Sequence, residues 1–221
     1  EANNGNEIIE KLQKTHEIDL QILSGDEEAQ LTFLAARRWL GWSSGRLLVL
    51  DIGGGSLEMA VGNDESASST LSLPIGAGRM TREFLSGDPY TGKSIKALTQ
   101  FSRESISQSV TGELLLHKAD RIVATSKTFR TLARLTDHWY SDSAKTLEHS
   151  ALVAAIEKLK DLSNSQRAAL PGVSASRAKQ LLAGAIVAEA VMSHLKIDEV
   201  EICPWALREG IVLKWLDWME K

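Results

Sequence analysis

Residues 46–58, Arg-Leu-Leu-Val-Leu-Asp-Ile-Gly-Gly-Gly-Ser-Leu-Glu, decide how this chain folds. The four successive aliphatic residues at 47–50 predict a strand that is buried on both faces. A glycine triplet follows at 53–55, and a second strand is predicted over 56–61. The stretch therefore places Asp51 near the end of one buried strand and Glu58 near the start of the next, on either side of a glycine turn.

This arrangement suits the binding of an anion and a hard cation. Glycine has no Cβ, so the backbone N–H groups of Gly53 to Ser56 can approach an anion closely. The carboxylates of Asp51 and Glu58 are ligands that Mg²⁺ accepts together with water and substrate phosphates. The alternative is a glycine-rich hairpin turn with a solvated aspartate. The two flanking strands and the two carboxylates favour the functional interpretation over this alternative.

Hydrophobic periodicity in the rest of the chain predicts alternating strands and helices, which is typical of an α/β fold. Further strands are predicted over 18–23, 71–75, 121–124 and 198–203. Helices are predicted over 6–15, from about 24 to 40, over 78–86, 93–117, 126–137, 147–162 and 175–196, and from about 206 onward.

Three other segments that lead into predicted helices carry groups suited to phosphate chemistry. The acidic stretch at 24–28 can supply a carboxylate with a raised pKa, which is the property of a general base, or it can be a simple N-cap. Ser126 and Lys127 follow a predicted strand and suit a phosphate chain, although Ser126 as an N-cap explains the pattern equally well. Arg208 can contact phosphate in a bidentate manner or form an ordinary surface ion pair.

Composition excludes several classes of protein. The chain has 221 residues, 43% hydrophobic and 24% charged, with a net charge of −4, so we expect no nucleic-acid partner, no membrane partner and no extensive disorder. One cysteine, Cys203, permits no internal disulfide and favours a cytoplasmic location. The five histidines lack metal-ligand spacing.

Five stretches, in their order along the chain, resemble the exopolyphosphatase and guanosine pentaphosphate phosphohydrolase family. The resemblance covers essentially the whole chain, and the form of residues 205–210, with Lys127 where many members carry glycine, is similar to the actinobacterial branch. It implies an α/β, ribonuclease H-like lobe of the actin, sugar kinase and heat-shock ATPase superfamily, with a mixed five-stranded sheet flanked by helices. The matching stretches are Leu23 to Ala29, Asp51 to Glu58, Thr125 to Thr128, Leu181 to Ala185, and Ala206 to Gly210.

The resemblance also implies a function, namely an exopolyphosphatase that releases terminal orthophosphate from inorganic polyphosphate. It implies that Glu28, the second glutamate of a Gly-x-Glu-Glu-Ala motif, orients or deprotonates the attacking water. It further implies that Asp51 and Glu58 bind Mg²⁺ or Mn²⁺, and that phosphate is bound by Gly53, Gly54, Gly55, Ser56, Ser126, Lys127 and Arg208.

One departure from the family pattern concerns the organisation of the chain. Family members begin with a first lobe that has its own phosphate loop, and Glu1-Ala2-Asn3 resembles the end of that lobe. We therefore expect residues 1–29 to be the tail of the first lobe and the junction, 30–205 to be the second lobe, and 206–221 to be a terminal helix that returns toward the interface. A second lobe alone is expected to be weakly active or inactive.

Several alternatives remain open from the sequence. The substrate can be inorganic polyphosphate or guanosine pentaphosphate, because both end in a phosphoanhydride. An ATPase or sugar kinase of the same superfamily is a second interpretation, and a non-catalytic polyphosphate-binding module is a third. Trp215 and Trp218 are expected to be covered either by the missing first lobe or by a second copy in a homodimer.

Overall fold

A computed structural model describes residues 5–140 and 143–219, so Glu1-Ala2-Asn3 lies outside the described residues. These residues form a mixed, six-stranded sheet with the order β3-β2-β1-β4-β6-β5. Strands β1, β4 and β6 run parallel, and the other neighbouring pairs are antiparallel. The strands are β1 (Leu47–Ile52), β2 (Leu57–Gly62), β3 (Ser69–Leu73), β4 (Arg121–Ala124), β5 (Thr146–Glu148) and β6 (Glu199–Ile202).

The central strand β1 is buried on both faces, as its run of aliphatic residues predicts. Alternate side chains point to opposite faces of a strand. Leu48 and Leu50 accordingly belong to the larger apolar cluster, whereas Leu47 and Val49 belong to the smaller one. This double burial fixes β1 in the middle of the sheet and leaves only its carboxyl end near solvent.

Helices cover both faces of the sheet. The N-terminal helices are α1 (Gly5–His16) and α2 (Gly25–Leu40). Those after β3 are α3 (Ala77–Phe84), α4 (Gly92–Ser109), α5 (Gly112–Leu115) and α6 (Ser126–Tyr140). The remainder are α7 (His149–Lys160), α8 (Asn164–Ala168), α9 (Ala175–Ala178), α10 (Leu181–Leu195) and α11 (Leu207–Met219), and a short 3-10 turn spans Trp42–Ser44.

Helix α10 lies in the centre of the larger cluster and is buried over nearly its whole length. Helix α2 covers the other face of the sheet, where Phe33 and Ala36 pack on Val49 and Ala60 in the smaller cluster. An apolar layer on each face of the sheet is the expected α/β architecture.

Glycines set how closely α2 approaches its two neighbours. A Cβ at Gly25 would lie 2.3 Å from the Ser72 Cβ, so glycine lets the first turn of α2 contact β3. A Cβ at Gly210 would lie 2.0 Å from the carbonyl oxygen of Leu31, so glycine lets α11 pack directly on α2. These contacts fix the start of α2 beside the edge where the candidate site lies.

The structure corrects two strand predictions. Residues 18–23 form no strand, and Ile18 and Ile22 are exposed, because none of the described strands pairs with this alternating segment. The sixth strand, β5, was missed, and the sheet therefore has six strands rather than five. Only Leu147 is buried in this three-residue strand, and a single buried residue leaves no period-two pattern to recognise.

Two long helices were predicted without their breaks. The segment 93–117 divides into α4 and α5, because Val110 leaves the helical conformation and Gly112 has a φ of +55°. The segment 175–196 divides into α9 and α10 at residues 179–180. In both cases the apolar spacing continues across the break, so periodicity alone does not mark it.

Candidate active site

The carboxyl ends of β1 and β4 lie side by side, because the two strands pair in parallel. This pairing places the fully buried Thr125 next to Asp51. The Thr125 N–H donates to the Leu50 carbonyl at 2.9 Å, and the Thr125 hydroxyl donates to Asp51 Oδ2. Thr125 therefore orients the aspartate carboxylate that the sequence singled out.

Asp51 and Glu58 face each other across the antiparallel β1–β2 ladder. Burial raises the pKa of Asp51 to about 6, while the hydrogen bond from Thr125 opposes the shift. Burial also raises the pKa of Glu58 to about 7, with a further contribution from the charge of Asp51. The Ser72 hydroxyl donates to Glu58 Oε1 at 3.1 Å. The pair thus forms a buried acidic centre of two carboxylates with raised pKa values.

The two adjacent glutamates at the start of α2, Glu27 and Glu28, lie in different surroundings. Ser24 caps the helix by accepting from the Glu27 N–H, and Glu27 Oε2 accepts from the Ser24 N–H at 2.7 Å, which completes a capping box. Glu28 points elsewhere: burial raises its pKa, and its charge in turn raises the pKa of both Asp51 and Glu58. The helix-cap interpretation of this stretch therefore applies to Glu27, and the catalytic role of Glu28 stays a prediction.

The glycine turn is tied to the start of α3 through its carbonyl groups. Each of the three glycine carbonyls accepts a hydrogen bond from a backbone amide there. The donors are Ala77 to Gly53 (3.0 Å), Arg79 to Gly54 (2.9 Å) and Gly76 to Gly55 (3.1 Å).

Because C=O and N–H point in opposite directions across a trans peptide, these bonds also orient the amides of the next residues. The N–H groups of Gly54, Gly55 and Ser56 all point away from α3. The Gly53 N–H is engaged with the Ser56 carbonyl at 2.9 Å. Three successive amides on one side of a turn form the kind of concavity that binds anions.

Packing requires glycine at some positions of this region and not at others. A Cβ at Gly76 would lie 2.3 Å from the Ser56 nitrogen, and one at Gly78 would lie 2.9 Å from the Gly54 carbonyl oxygen, so packing requires glycine at both positions. A Cβ at Gly54 or Gly55 would meet no atom within 4 Å, and neither residue has a left-handed φ. Nothing in the described chain therefore requires glycine at 54 and 55, whereas a ligand that contacts the backbone there would.

A cleft of about 340 Å³ opens between the start of α2 and the glycine turn. Glu28 lies on one side of it, and Gly55 and Ser56 lie on the other. Arg79 and Ser72 also line this cleft, together with Leu23, Gly25 and Pro74. The structure thus brings the predicted catalytic carboxylate and the predicted phosphate loop to one open space.

The other predicted phosphate ligands lie outside that lining. Ser126 begins α6 with a φ of +70°, and Lys127 is exposed beside it. The side chain of Arg208 is 90% exposed and pairs with Glu209, with 2.6 Å between Arg208 Nη2 and Glu209 Oε1. Their assignment to phosphate stays a prediction, and the surface ion pair considered for Arg208 is present.

Sequence reasoning did not single out two arginines near the candidate site, Arg79 and Arg130. Arg79 lines the cleft. The sequence feature that could have drawn attention to it is its position directly after the Gly-Ala-Gly segment that follows β3. Arg130 in α6 donates from Nε to the Ser126 carbonyl at 3.1 Å, and its charge lowers the pKa of Asp51. Arg130 lies four residues beyond Ser126, one turn along the same helix, but periodicity did not distinguish it from other surface cations.

The donors at the acidic centre fit a magnesium ion. Among residues 5–140 and 143–219, no cluster of three or more His, Cys, Asp or Glu side chains is arranged to hold a metal. Magnesium, however, is commonly bound by one or two carboxylates together with water and substrate phosphates. Asp51 and Glu58 supply two carboxylates beside a concavity suited to phosphate, so the donor chemistry is appropriate.

A second, apolar groove of about 440 Å³ lies along α11, between that helix and the segment that precedes α2. Its lining includes Leu23, Leu31 and Ile211. Trp215 and Trp218 also line it and are 56% and 73% exposed.

Across the described residues, no helix combines the length and apolar character needed to cross a membrane.

The chain is similar to known proteins over nearly its whole length. Residues 1–219 match the Ppx/GppA phosphatase family. Exopolyphosphatase 1 of Mycobacterium leprae is 46% identical over 98% of this chain, and Exopolyphosphatase 1 of Mycobacterium tuberculosis H37Rv is 47% identical over 98%. The chain spans 65% and 64% of the length of these two curated relatives.

Solved structures agree on the fold. A Ppx/GppA phosphatase from Aquifex aeolicus superposes with a TM-score of 0.75 at 25% identity, covering 96% of this chain and 71% of that one. An exopolyphosphatase-like protein superposes with a TM-score of 0.87 at 23% identity, and the match covers 99% of this chain and 74% of that protein's chain. The mixed sheet flanked by helices is therefore the actin-like fold of these structures.

Proposed function

Since the chain belongs to the Ppx/GppA phosphatase family, we propose that it forms the second lobe of an exopolyphosphatase, a hydrolase that releases terminal orthophosphate from inorganic polyphosphate. The observation that carries this proposal is the open turn at Gly54 and Gly55. Glycine is required there neither by packing nor by a left-handed φ, and the amides beside it point away from α3. A phosphate group that contacts the backbone directly explains both features.

In the proposed reaction, the terminal phosphate lies against the amides of Gly54, Gly55 and Ser56. Glu28, across the cleft, accepts a proton from water as the water oxygen bonds to the terminal phosphorus. The phosphoanhydride bond breaks, its electron pair remains on the shortened polyphosphate, and orthophosphate is released. Positioning and charge stabilisation supply most of the rate in such transfers.

The raised pKa of Glu28 suits this role, because a stronger base accepts a proton more readily near neutral pH. Asp51 and Glu58 would hold Mg²⁺ or Mn²⁺, which neutralises phosphate charge when bound. Thr125 and Ser72 orient these two carboxylates through hydrogen bonds.

The relatives are longer than this chain, so the activity belongs to a protein of their full length. We propose that the apolar groove along α11, with Trp215 and Trp218, meets the first lobe there. We expect this 221-residue chain to bind polyphosphate while hydrolysing it weakly or not at all.

The test compares orthophosphate release from long-chain polyphosphate, guanosine pentaphosphate and ATP by a full-length protein that contains this chain. Faster release from polyphosphate than from the two nucleotides supports the proposal. Equal or faster release from ATP would favour the ATPase interpretation instead. Polyphosphate binding without release from any of the three substrates would indicate a binding module.

A further inference from the structure

Arg79 has a buried side-chain nitrogen without a hydrogen-bond partner among the described residues. Its Nε is buried and makes no hydrogen bond there. The nearest carboxylate oxygen, Glu83 Oε1, lies 4.0 Å from Nη1, one turn along the same helix. A buried polar group without a partner is unusual in a native protein and calls for an explanation.

The position of Arg79 is fixed relative to the glycine turn. Its backbone N–H donates to the Gly54 carbonyl at 2.9 Å. A Cβ at Gly78 would lie 2.9 Å from that same oxygen, so the backbone before Arg79 packs tightly against the turn. The guanidinium therefore starts from a rigid point beside the proposed phosphate loop.

Among the described residues, the cleft is lined by one cationic and one acidic side chain that do not pair with each other. Arg79 is the one cationic side chain that lines the cleft, as far as the chain is described, and Glu28 lies in the same lining. No ion pair within 4 Å joins the two side chains in the described structure. Space thus separates the cation from the carboxylate, and an anionic group can occupy it.

We propose that the Arg79 guanidinium binds a non-bridging phosphate oxygen of the substrate in the cleft that it shares with Glu28. The planar guanidinium matches the geometry of two phosphate oxygens and carries a permanent charge. Its contact would add to those proposed for the amides of Gly54, Gly55 and Ser56. This inference rests on the proposed function, since it names a further substrate contact in the same site.

The test measures tripolyphosphate binding to the 221-residue chain by isothermal titration calorimetry. The variants are Arg79→Gln, Arg79→Lys and, as a control, Arg82→Gln, which removes the same charge from an exposed position of the same helix. We expect Arg79→Gln to weaken binding about tenfold or more, which is the range for losing a charged hydrogen bond. Arg79→Lys should recover part of the loss, and Arg82→Gln should have little effect.

Thermal unfolding of each variant separates a binding role from a structural one. If Arg79→Gln binds as tightly as Arg82→Gln while the wild-type chain binds tripolyphosphate, the role of Arg79 is refuted and the proposed function stands. If the wild-type chain does not bind tripolyphosphate, this inference fails, while the proposed function is still judged by orthophosphate release from the full-length protein. If Arg79→Gln is unfolded, Arg79→Lys decides: weaker binding than the wild type supports the guanidinium contact, and binding equal to that of the wild type refutes it.

Discussion

Asp51 and Glu58 occupy facing positions in the β1–β2 ladder, so two carboxylates lie close together where β1 ends and β2 begins. Burial raises the pKa of both, to about 6 and about 7 respectively. Glu58 is only 5% exposed and receives a hydrogen bond from Ser72. Two such groups make the metal-free fold sensitive to pH in a range where ordinary carboxylates are already ionised.

The first prediction concerns the pH dependence of stability. The folded chain binds protons at Asp51 and Glu58 more tightly than the unfolded chain does, so their contribution is complete below the unfolded pKa values and is lost as pH rises through the folded ones. We expect the free energy of unfolding without metal to fall by on the order of 3 kcal/mol between about pH 4.5 and about pH 8. Urea denaturation in EDTA measures this change.

The matched control is Glu58→Gln, which keeps the shape of the side chain and removes its charge. This variant should lose a large part of the pH dependence and should be more stable than the wild type at the alkaline end. Glu27 and Glu113 do not confuse the result, since hydrogen bonding lowers the pKa of both and they titrate at lower pH. A wild-type profile that rises toward alkaline pH would contradict the assignment.

The second prediction concerns magnesium. Binding of Mg²⁺ between the facing carboxylates would relieve their repulsion, so millimolar MgCl₂ should raise the melting temperature of the wild-type chain at alkaline pH. A ligand at ten times its dissociation constant stabilises a fold by about 1.4 kcal/mol. Differential scanning fluorimetry in MgCl₂ and in EDTA measures the shift. Asp51→Asn should respond little, and an equal response in this variant would place the cation elsewhere.

The third prediction separates the two adjacent glutamates of α2. Glu28→Gln should abolish orthophosphate release in the full-length protein and leave polyphosphate binding intact, because the amide cannot accept the proton of water. Glu27→Gln should retain most of the activity and change the stability only slightly, since glutamine can also complete a capping box, as Gln166 does with Ser163. Activity assays and thermal unfolding of both variants provide the comparison. Retained turnover in Glu28→Gln would remove Glu28 from the role of base.

Much of the fold follows from local pattern. The doubly buried β1 was recognisable because its aliphatic run has only one environment that suits it. Residues 18–23 show the opposite case, since their alternation is as regular but no neighbouring strand is present among the described residues to pair with it. Pairing is a tertiary property, and β5 with its single buried Leu147 exists only through its contact with β6.

The candidate site shows a similar division. Asp51 and Glu58 were identifiable because the glycine turn between them fixes their register across the hairpin. The place of Arg79 could not be predicted, because the cleft that it lines is formed with Glu28 from another part of the chain. The surface ion pair of Arg208 with Glu209 was one of the two interpretations that the sequence left open, and its role in phosphate binding stays a prediction.

The fourth prediction tests whether the glycine turn was shaped by packing or by a ligand. At Gly55 a Cβ meets open space, so Gly55→Ala should leave stability unchanged or raise it by about 0.4–1 kcal/mol, because alanine reduces the entropy of the unfolded chain. The added methyl group should nevertheless weaken tripolyphosphate binding by blocking the approach of phosphate to the amides. At Gly76, by contrast, a Cβ would lie 2.3 Å from the Ser56 nitrogen. Gly76→Ala should therefore lower the stability by about 1–3 kcal/mol.

Gly55→Ala distinguishes a turn shaped by packing from one shaped by a ligand. A turn shaped only by internal packing would make Gly55→Ala neutral in both stability and binding. A turn shaped by a bound phosphate makes it neutral in stability alone. Thermal unfolding and calorimetric titration with tripolyphosphate on the same preparations distinguish the two cases. Unimpaired binding by Gly55→Ala would mean that the backbone amides beside it are not where the phosphate lies.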